Sequence, residues 1–481
     1  MEIAVIGIFW LLLLAAMVFG DGRYLAYLLF SSLPFGAFAV IPTAITGGLT
    51  LTPAPMVAVL LCIRVILVPS NLFGLPEKLL DLRKFGILTL FLVTALIVTL
   101  VSPRLFEGQV NVIHVRKIFS LTRAFPLQPS AQNISQMAYL TISFLAVIAM
   151  SSLVTKPNMW AVIRKGLMIS GLISIITGLL SMVSVLSPLL QPFRTATYTL
   201  LEGATIAGIS RVIGLMPEAS VYGALCVGLL SSLHFLGRIG SISRSEDLAR
   251  SAIVLGLIAM TVLSTSSSAY VGLAAFGAAA FIDWAFRLTR TPARSPENNR
   301  AKVEAFVAMF AIMCAVAFTS VNNGVLVSIN TALNSILFLK QGSISFIERS
   351  YWSAVSWQAL WDTYGLGVGV GSTRTSNTFV AITSNTGILG AVLFYGFLFY
   401  HYLKPLTNIS PWSQRSLSGA RWAYLPILVI GLLAGTVVDF GIISALLFSI
   451  FGSSSPAHKR HDVISNRATG PSRARNRHFT A

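Results

Sequence analysis

A chain of 481 residues in which 55% are apolar and only 10% charged, with a mean hydropathy of +0.79, is excluded from the ordinary soluble globules. The formal net charge of +18 does not by itself point to nucleic acid, because most Lys and Arg fall in short connectors between apolar runs and six more lie near the end of the chain. The apolar runs are about 15 to 22 residues long, the length that a hydrocarbon core of about 30 Å demands of a helix. They are continuous rather than alternating, so helices and not barrel strands must satisfy the backbone in lipid. The expected fold class is all-α, a polytopic membrane protein with about 12 to 13 spans.

In chain order the runs place spans at 3–19, 24–45, 53–68, 85–102, 136–154, 166–187, 219–236, 251–263, 268–286, 303–322, 386–403 and 422–452. The first lacks a basic leader and reads as a retained span rather than a cleaved signal. Connectors around 20–23, 69–84, 155–165, 237–250, 287–302 and 404–421 hold 18 Lys and Arg, against 9 in the much longer connectors 103–135, 188–218 and 323–385. That bias puts the long loops outward and the short ones in the cytoplasm. The last run is too long for one upright helix, so a pair of shorter helices around Gly431, Gly435 and Asp439 is expected. Residues 1–452 then form one membrane domain, and 453–481 a basic, disordered cytoplasmic tail suited to anionic headgroups.

Arg64 lies near a cytoplasmic span end, where its side chain can snorkel. His234 and His401 sit near such ends as well, and no two histidines stand at metal-ligand spacing. Cys62, Cys226 and Cys314 lie far apart within apolar runs and suggest neither a disulfide framework nor a metal site. No internal repeat and no Walker, Rossmann or zinc signature is present. No metal and no cofactor is therefore expected.

Two outward segments concentrate polar residues. The first carries Arg194, Glu202, Arg211 and Glu218 among glycines, with Pro217 placing Glu218 at a helix start, where a carboxylate also suits simple capping. The second, Glu348 to Gly390, holds Arg349, Asp362 and Arg374, glycine at 365, 367, 369 and 371, and the polar run Ser372 to Asn377. Residues 343–361 read as a surface-lying amphipathic helix, with Ile344, Ile347, Tyr351, Ala354, Val355, Gln358 and Trp361 on one stripe and Glu348, Arg349, Ser353 and Ser356 facing elsewhere. Its tryptophans suit either a membrane interface or a platform on which a sugar stacks. Alternate glycines let backbone approach a ligand and offer amides to an anion.

Together the segments resemble the family of Wzy-type polysaccharide polymerases and O-antigen ligases. One pattern is Arg211, Gly214, Pro217, Glu218 and Gly223 in RVIGLMPEASVYG; the other is Arg349, Tyr351, Trp352, Gly367, Gly369, Gly371, Asn377 and Gly387 in ERSYW…GLGVGVG…TSNTF…NTGILG. The likeness covers about residues 200 to 400. Ligases of the family usually have a histidine before the asparagine that follows the glycine run, and this chain has Ser376, which tilts the reading toward polymerisation. An arginine often found in the motif before the ninth span is replaced by Ser268, and the RX10G spacing of some polymerases is missing.

The resemblance implies a metal-independent glycosyltransferase of the bacterial inner membrane, acting on polyprenyl-pyrophosphate-linked oligosaccharide. Arg211 and Arg349 would clamp the pyrophosphate, with Arg194 and Arg374 as further cations, since guanidinium stays charged and binds phosphate oxygens in pairs. Glu218 would be the general base, ahead of Glu348 and Asp362. Trp352, Gly367, Gly369, Gly371 and Asn377 would contact substrate. Membrane lipid and a chain-length regulator are the other implied partners, and nucleic acid is not. A ligase-type transferase and a transporter or flippase of lipid-linked oligosaccharide are the alternatives.

Overall fold

The computed structural model describes residues 2–453, apart from 20–21, 43–44, 47–49, 115–122, 184, 197–204, 207–208, 241, 291–343 and 408. The expected span at 303–322, Cys314, Glu202 and the tail from 454 lie outside the described residues. The helices are α1 (Glu2–Val18), α2 (Arg23–Ser31), α3 (Pro53–Ile66), α4 (Pro69–Phe73), α5 (Leu75–Leu80), α6 (Gly86–Leu105), α7 (Ala131–Val154), α8 (Met159–Met182), α9 (Ala219–Phe235), α10 (Arg244–Leu263), α11 (Ser267–Arg290), α12 (Ile344–Asp362), α13 (Thr378–Leu403), α14 (Pro411–Ala434) and α15 (Gly441–Ser453). Two antiparallel hairpins, Asn111–Val112 with Phe125–Pro126 and Thr205–Ile206 with Ile209–Ser210, supply the strands.

The protein is all-α and built as a multi-pass membrane protein. Among the described residues six helices, α6, α7, α8, α11, α13 and α14, are long and apolar enough to cross a membrane. A seventh crossing is available if α3 and the α4–α5 pair, which meet at 91°, form one broken span. The helices α1, α9 and α15 are apolar but shorter. In the packing α7 lies between α3 and α15, α6 pairs with α13, and α9 contacts α8, α10, α11 and α14.

Several boundaries differ from those read in the sequence, each for a physical reason. The span expected at 24–45 is helical only to Ser31, because Pro34 disfavours helix in the residue before it. The chain beyond runs irregularly inside the bundle, where Ala37 N donates to Leu215 O (2.9 Å), Ala39 N to Thr195 Oγ1 (2.9 Å) and Val40 N to Leu51 O (2.8 Å). Irregular backbone at membrane depth survives only when protein satisfies it in this way. Helix α8 starts seven residues before the expected 166, since the Arg164 charge is neutralised by Glu246 at 2.8 Å. The last apolar run is one full helix, α14, broken at 435–440 and followed by the shorter α15.

The end of the bundle opposite α12 carries the basic connectors in paired form. Lys78 donates to Ser152 (2.8 Å), Arg250 pairs with Asp247 (2.7 Å), Arg287 with Asp283 (2.9 Å), and Arg421 donates to the His401 carbonyl (2.9 Å). At the other end a small second core of Phe106, Val110, Val112, Leu127, Ala359 and Val368 fastens the first hairpin to α12 and the glycine loop.

Helix α13 bends at Gly387, which has φ 74° and ψ 178°. A side chain there would meet the Gly365 carbonyl oxygen at 2.7 Å. Gly387→Ala should therefore lower stability by about 1–3 kcal/mol through backbone strain alone. Gly396→Ala, in open space on the same helix, should be neutral or up to about 1 kcal/mol stabilising. Thermal unfolding of the two variants in detergent checks the contrast, and equal midpoints would contradict it.

Candidate functional site

Residues 363–377 cross the bundle end as a loop, and their glycines are explained by what they touch. Gly365, Gly367, Gly369 and Gly371 all have φ between 81° and 91°, a left-handed region costly for other residues. The Gly369 α-carbon faces Pro103 and Thr99, where an added carbon would come within 2.9 Å. Six consecutive amides are taken up internally. Gly365 N donates to Leu360 O (2.8 Å), Leu366 N to Thr363 O (3.0 Å) and Gly367 N to Thr363 Oγ1 (3.1 Å). Val368 N donates to Ser384 O (2.8 Å), Gly369 N to Asn385 O (3.0 Å) and Val370 N to Thr99 Oγ1 (2.9 Å). Gly367, Gly369 and Gly371, expected to contact substrate, seat the loop on α6, α7 and α13.

Helix α12 lies over this loop with its polar face inward. Ser356 Oγ is 2.7 Å from Thr373 Oγ1 and donates to the Arg374 carbonyl, while Ser353 Oγ accepts from Ser376 N (3.2 Å). The expected apolar stripe faces outward, with Ile347, Tyr351 and Trp361 exposed. Trp352 is one of the residues expected to contact substrate. It is buried, 5% exposed, and the Arg374 guanidinium lies over its ring at 4.4 Å. Asn377 is the cap of α13, its side-chain oxygen accepting from Phe379 N (2.8 Å), so its carbonyl is committed to structure.

The two polar segments meet. Arg349, on α12, reaches toward Glu218, at the N-cap of α9, with 4.0 Å between Nη2 and Oε1 and both side chains somewhat more than a quarter exposed. Glu218 makes no capping bond to its own helix; its carboxylate instead accepts from the Ser220 hydroxyl. Arg211 donates from Nε to Thr265 Oγ1 at 3.3 Å. Burial holds the Arg211 and Arg374 guanidinium groups below their ordinary range; Glu218 opposes that shift in each and Arg349 adds to it. Arg211, Arg349 and Arg374 thus share one field with Glu218. Each remains a cation at neutral pH.

Arg194 does not join them. It is buried, and Nη2 donates to the Gly214 carbonyl (2.8 Å), holding the turn at Gly214, where φ is 55°. The bond this expected substrate-binding residue makes here is a structural one. Asp362 accepts from Gln358 one turn back in α12 (2.8 Å), and Glu348 acts on Arg374 through its charge.

Beneath the cationic cluster lies a cavity of about 980 Å³. Glu218, Ser220, Arg374 and Thr378 line its charged end, and Val221, Leu225, Ile427, Leu428 and Ile443 form an apolar wall from α9, α14 and α15. Gln132, Ser135, Gln136 and Tyr139 of α7 contribute a polar wall, and Asp439 lines it at the α14–α15 break. Among the described residues no group of three or more His, Cys, Asp or Glu is placed to hold a metal ion.

The sequence signals missed Thr265, which anchors Arg211, and the α7 residues Gln132 and Gln136, which belong to no motif. A polar stripe at i, i+3, i+4 and i+7 on an apolar helix could have marked the latter. No protein-family model matches this sequence, and no curated protein matches it, so the resemblance stands on the residues quoted for it.

Because Arg194 supports a buried carbonyl, Arg194→Ala should cost about 1–3 kcal/mol of stability. Arg374→Ala forfeits chiefly its contact with Trp352 and should cost about 1 kcal/mol. Thermal unfolding of the two variants orders them, and a larger loss for Arg374→Ala would contradict these assignments.

Proposed function

We propose that the chain is a membrane glycosyltransferase that polymerises polyprenyl-pyrophosphate-linked oligosaccharide repeat units at the outer face of a bacterial inner membrane. The observation that carries this reading is the shared field of Arg211, Arg349 and Arg374 around Glu218, of which Arg374 and Glu218 line one end of an amphipathic cavity. A lipid pyrophosphate has matching chemistry: two phosphates for the cations, a hydrocarbon chain for the apolar wall, and a saccharide. The charge asymmetry of the connectors, a 12- to 13-span topology and an outward α12 loop belong to the same proposal.

The pair between Arg349 and Glu218 is suited to giving way. At 4.0 Å and partly exposed, it is worth no more than about 1 kcal/mol. A phosphate that accepts two guanidinium bonds at once outcompetes it. In the proposed step an acceptor hydroxyl attacks the anomeric carbon of the donor, the bond from that carbon to the pyrophosphate oxygen breaks, and the lipid pyrophosphate leaves with the electron pair. Negative charge grows on the leaving group, where fixed cations stabilise it without reorganising. Glu218, relieved of Arg349, takes the hydroxyl proton. Ser376, where related ligases carry histidine, is buried with its backbone amide on Ser353, and this favours polymerisation over transfer to a terminal acceptor.

A flippase is the second reading, favoured by one observation: Asp439 lies at a break between two apolar helices and lines the cavity, as transport sites often do. Purified protein supplied with lipid-linked repeat units separates the two. Polymerisation gives a ladder of longer glycans, and Arg211→Ala and Arg349→Ala should each reduce it about 100-fold with the protein still in the membrane. Relocation of lipid without a ladder, or full-length polymer from both variants, would overturn the proposal.

A further inference from the structure

The α7 wall of the cavity has features that a lipid pyrophosphate alone does not use. Gln132, Ser135, Gln136 and Tyr139 recur at i, i+3, i+4 and i+7 and all face the cavity, on a helix otherwise apolar enough to cross a membrane. The neighbours Asn133 and Ser135 are committed to the protein. Asn133 Nδ2 donates to Val370 O (2.9 Å) and Ser372 Oγ (2.8 Å), and Ser135 Oγ to Gln132 O (3.1 Å). Among the described residues the Gln132 and Gln136 carboxamides have no partner.

Each carboxamide offers both donors and an acceptor, and both residues are half-buried on the cavity wall, where a ligand with paired donors and acceptors can replace water. A polyprenyl chain satisfies neither. A saccharide does, because each ring hydroxyl both donates and accepts. Position agrees with chemistry. Gly371 rests against the backbone of Gln132 and the Gln136 β-carbon, three residues from Arg374, so these carboxamides stand beside the loop that brings the cation to the cavity. The anomeric carbon of the donor is bonded directly to its pyrophosphate, so the first sugar must sit beside the phosphate-binding cations.

We propose that Gln132 and Gln136 form a saccharide subsite, by which the cavity selects glycosylated lipid pyrophosphate over the bare lipid. This rests on the lipid-pyrophosphate reading above and adds to it a discriminating wall that no motif contains.

The test is competitive binding, read by native mass spectrometry on purified full-length protein. The probes are undecaprenyl pyrophosphate and the lipid-linked saccharides extracted from host cells deleted for this gene. Wild-type protein should retain the saccharide-bearing lipid at least tenfold over the bare one. The double variant Gln132→Ala, Gln136→Ala should lower that ratio to about one while its affinity for the bare lipid stays within twofold. Gln136→Leu, which keeps the volume and removes the amide, supplies a second variant and should lower the ratio at least threefold. A preference unchanged in these variants, or absent from wild type while both lipids bind, overturns the subsite and leaves the cationic clamp standing. Failure of wild type to bind either lipid, or binding of the bare lipid unaltered by Arg349→Ala, overturns the clamp reading and this one with it.

Discussion

Everything at the candidate site depends on satisfying irregular backbone in a place with little water. The loop from Gly365 to Asn377 lies pressed onto the ends of α6, α7 and α13, and its amides must find partners inside the protein. They do so on Leu360, Ser384, Asn385 and Thr99, residues scattered over three helices, and on Thr363 of the loop itself. Glycine at alternate positions allows both the left-handed turns and the close approach. The loop is thereby fixed in register, and Arg374 at its far end is delivered onto Trp352 and to the edge of the cavity.

A cation held in this way differs from one on a free loop. Burial disfavours its charge, and two carboxylates act on the cluster, Glu218, at 4.0 Å from Arg349, and Glu348, through its charge on Arg374. Three guanidinium groups against Glu218 and Glu348 leave an excess of positive charge where Arg374 and Glu218 line an amphipathic cavity. That excess is the physical basis for proposing an anionic, lipid-bearing ligand. It also explains why the basic residues at the other end of the bundle, which are paired with Glu246, Asp247 and Asp283 or with backbone carbonyls, invite no such reading.

The sequence made the helical membrane character plain, because continuous apolar runs leave few other solutions. The meeting of Arg211, Glu218 and Arg349 was legible only through motif spacing, since nothing local links residues so far apart. The internal packing of the glycines, Arg194 and Trp352 was not legible in the sequence, for one shared reason. Each is a residue type that suits ligands and suits tight internal packing equally well, and only the neighbours Thr99, Pro103, Gly214 and Arg374 decide between the two. The short α2 was missed because hydropathy measures the apolarity of 24–45 without registering the turn at Pro34. Gln132 and Gln136 were passed over because they stand singly within an apolar run, and their common face emerges only once α7 is rotated against the cavity.

The central claim is that two segments about 140 residues apart make one cationic mouth over a lipid-binding cavity. An experimental structure of the protein in lipid nanodiscs with undecaprenyl pyrophosphate tests it most directly. The account predicts pyrophosphate density between Arg211, Arg349 and Arg374, with Arg349 drawn off Glu218 and the isoprenoid chain along Val221, Leu225 and Ile427. Lipid bound elsewhere on the bundle, with the Arg349–Glu218 pair intact and the cavity holding water alone, would contradict it.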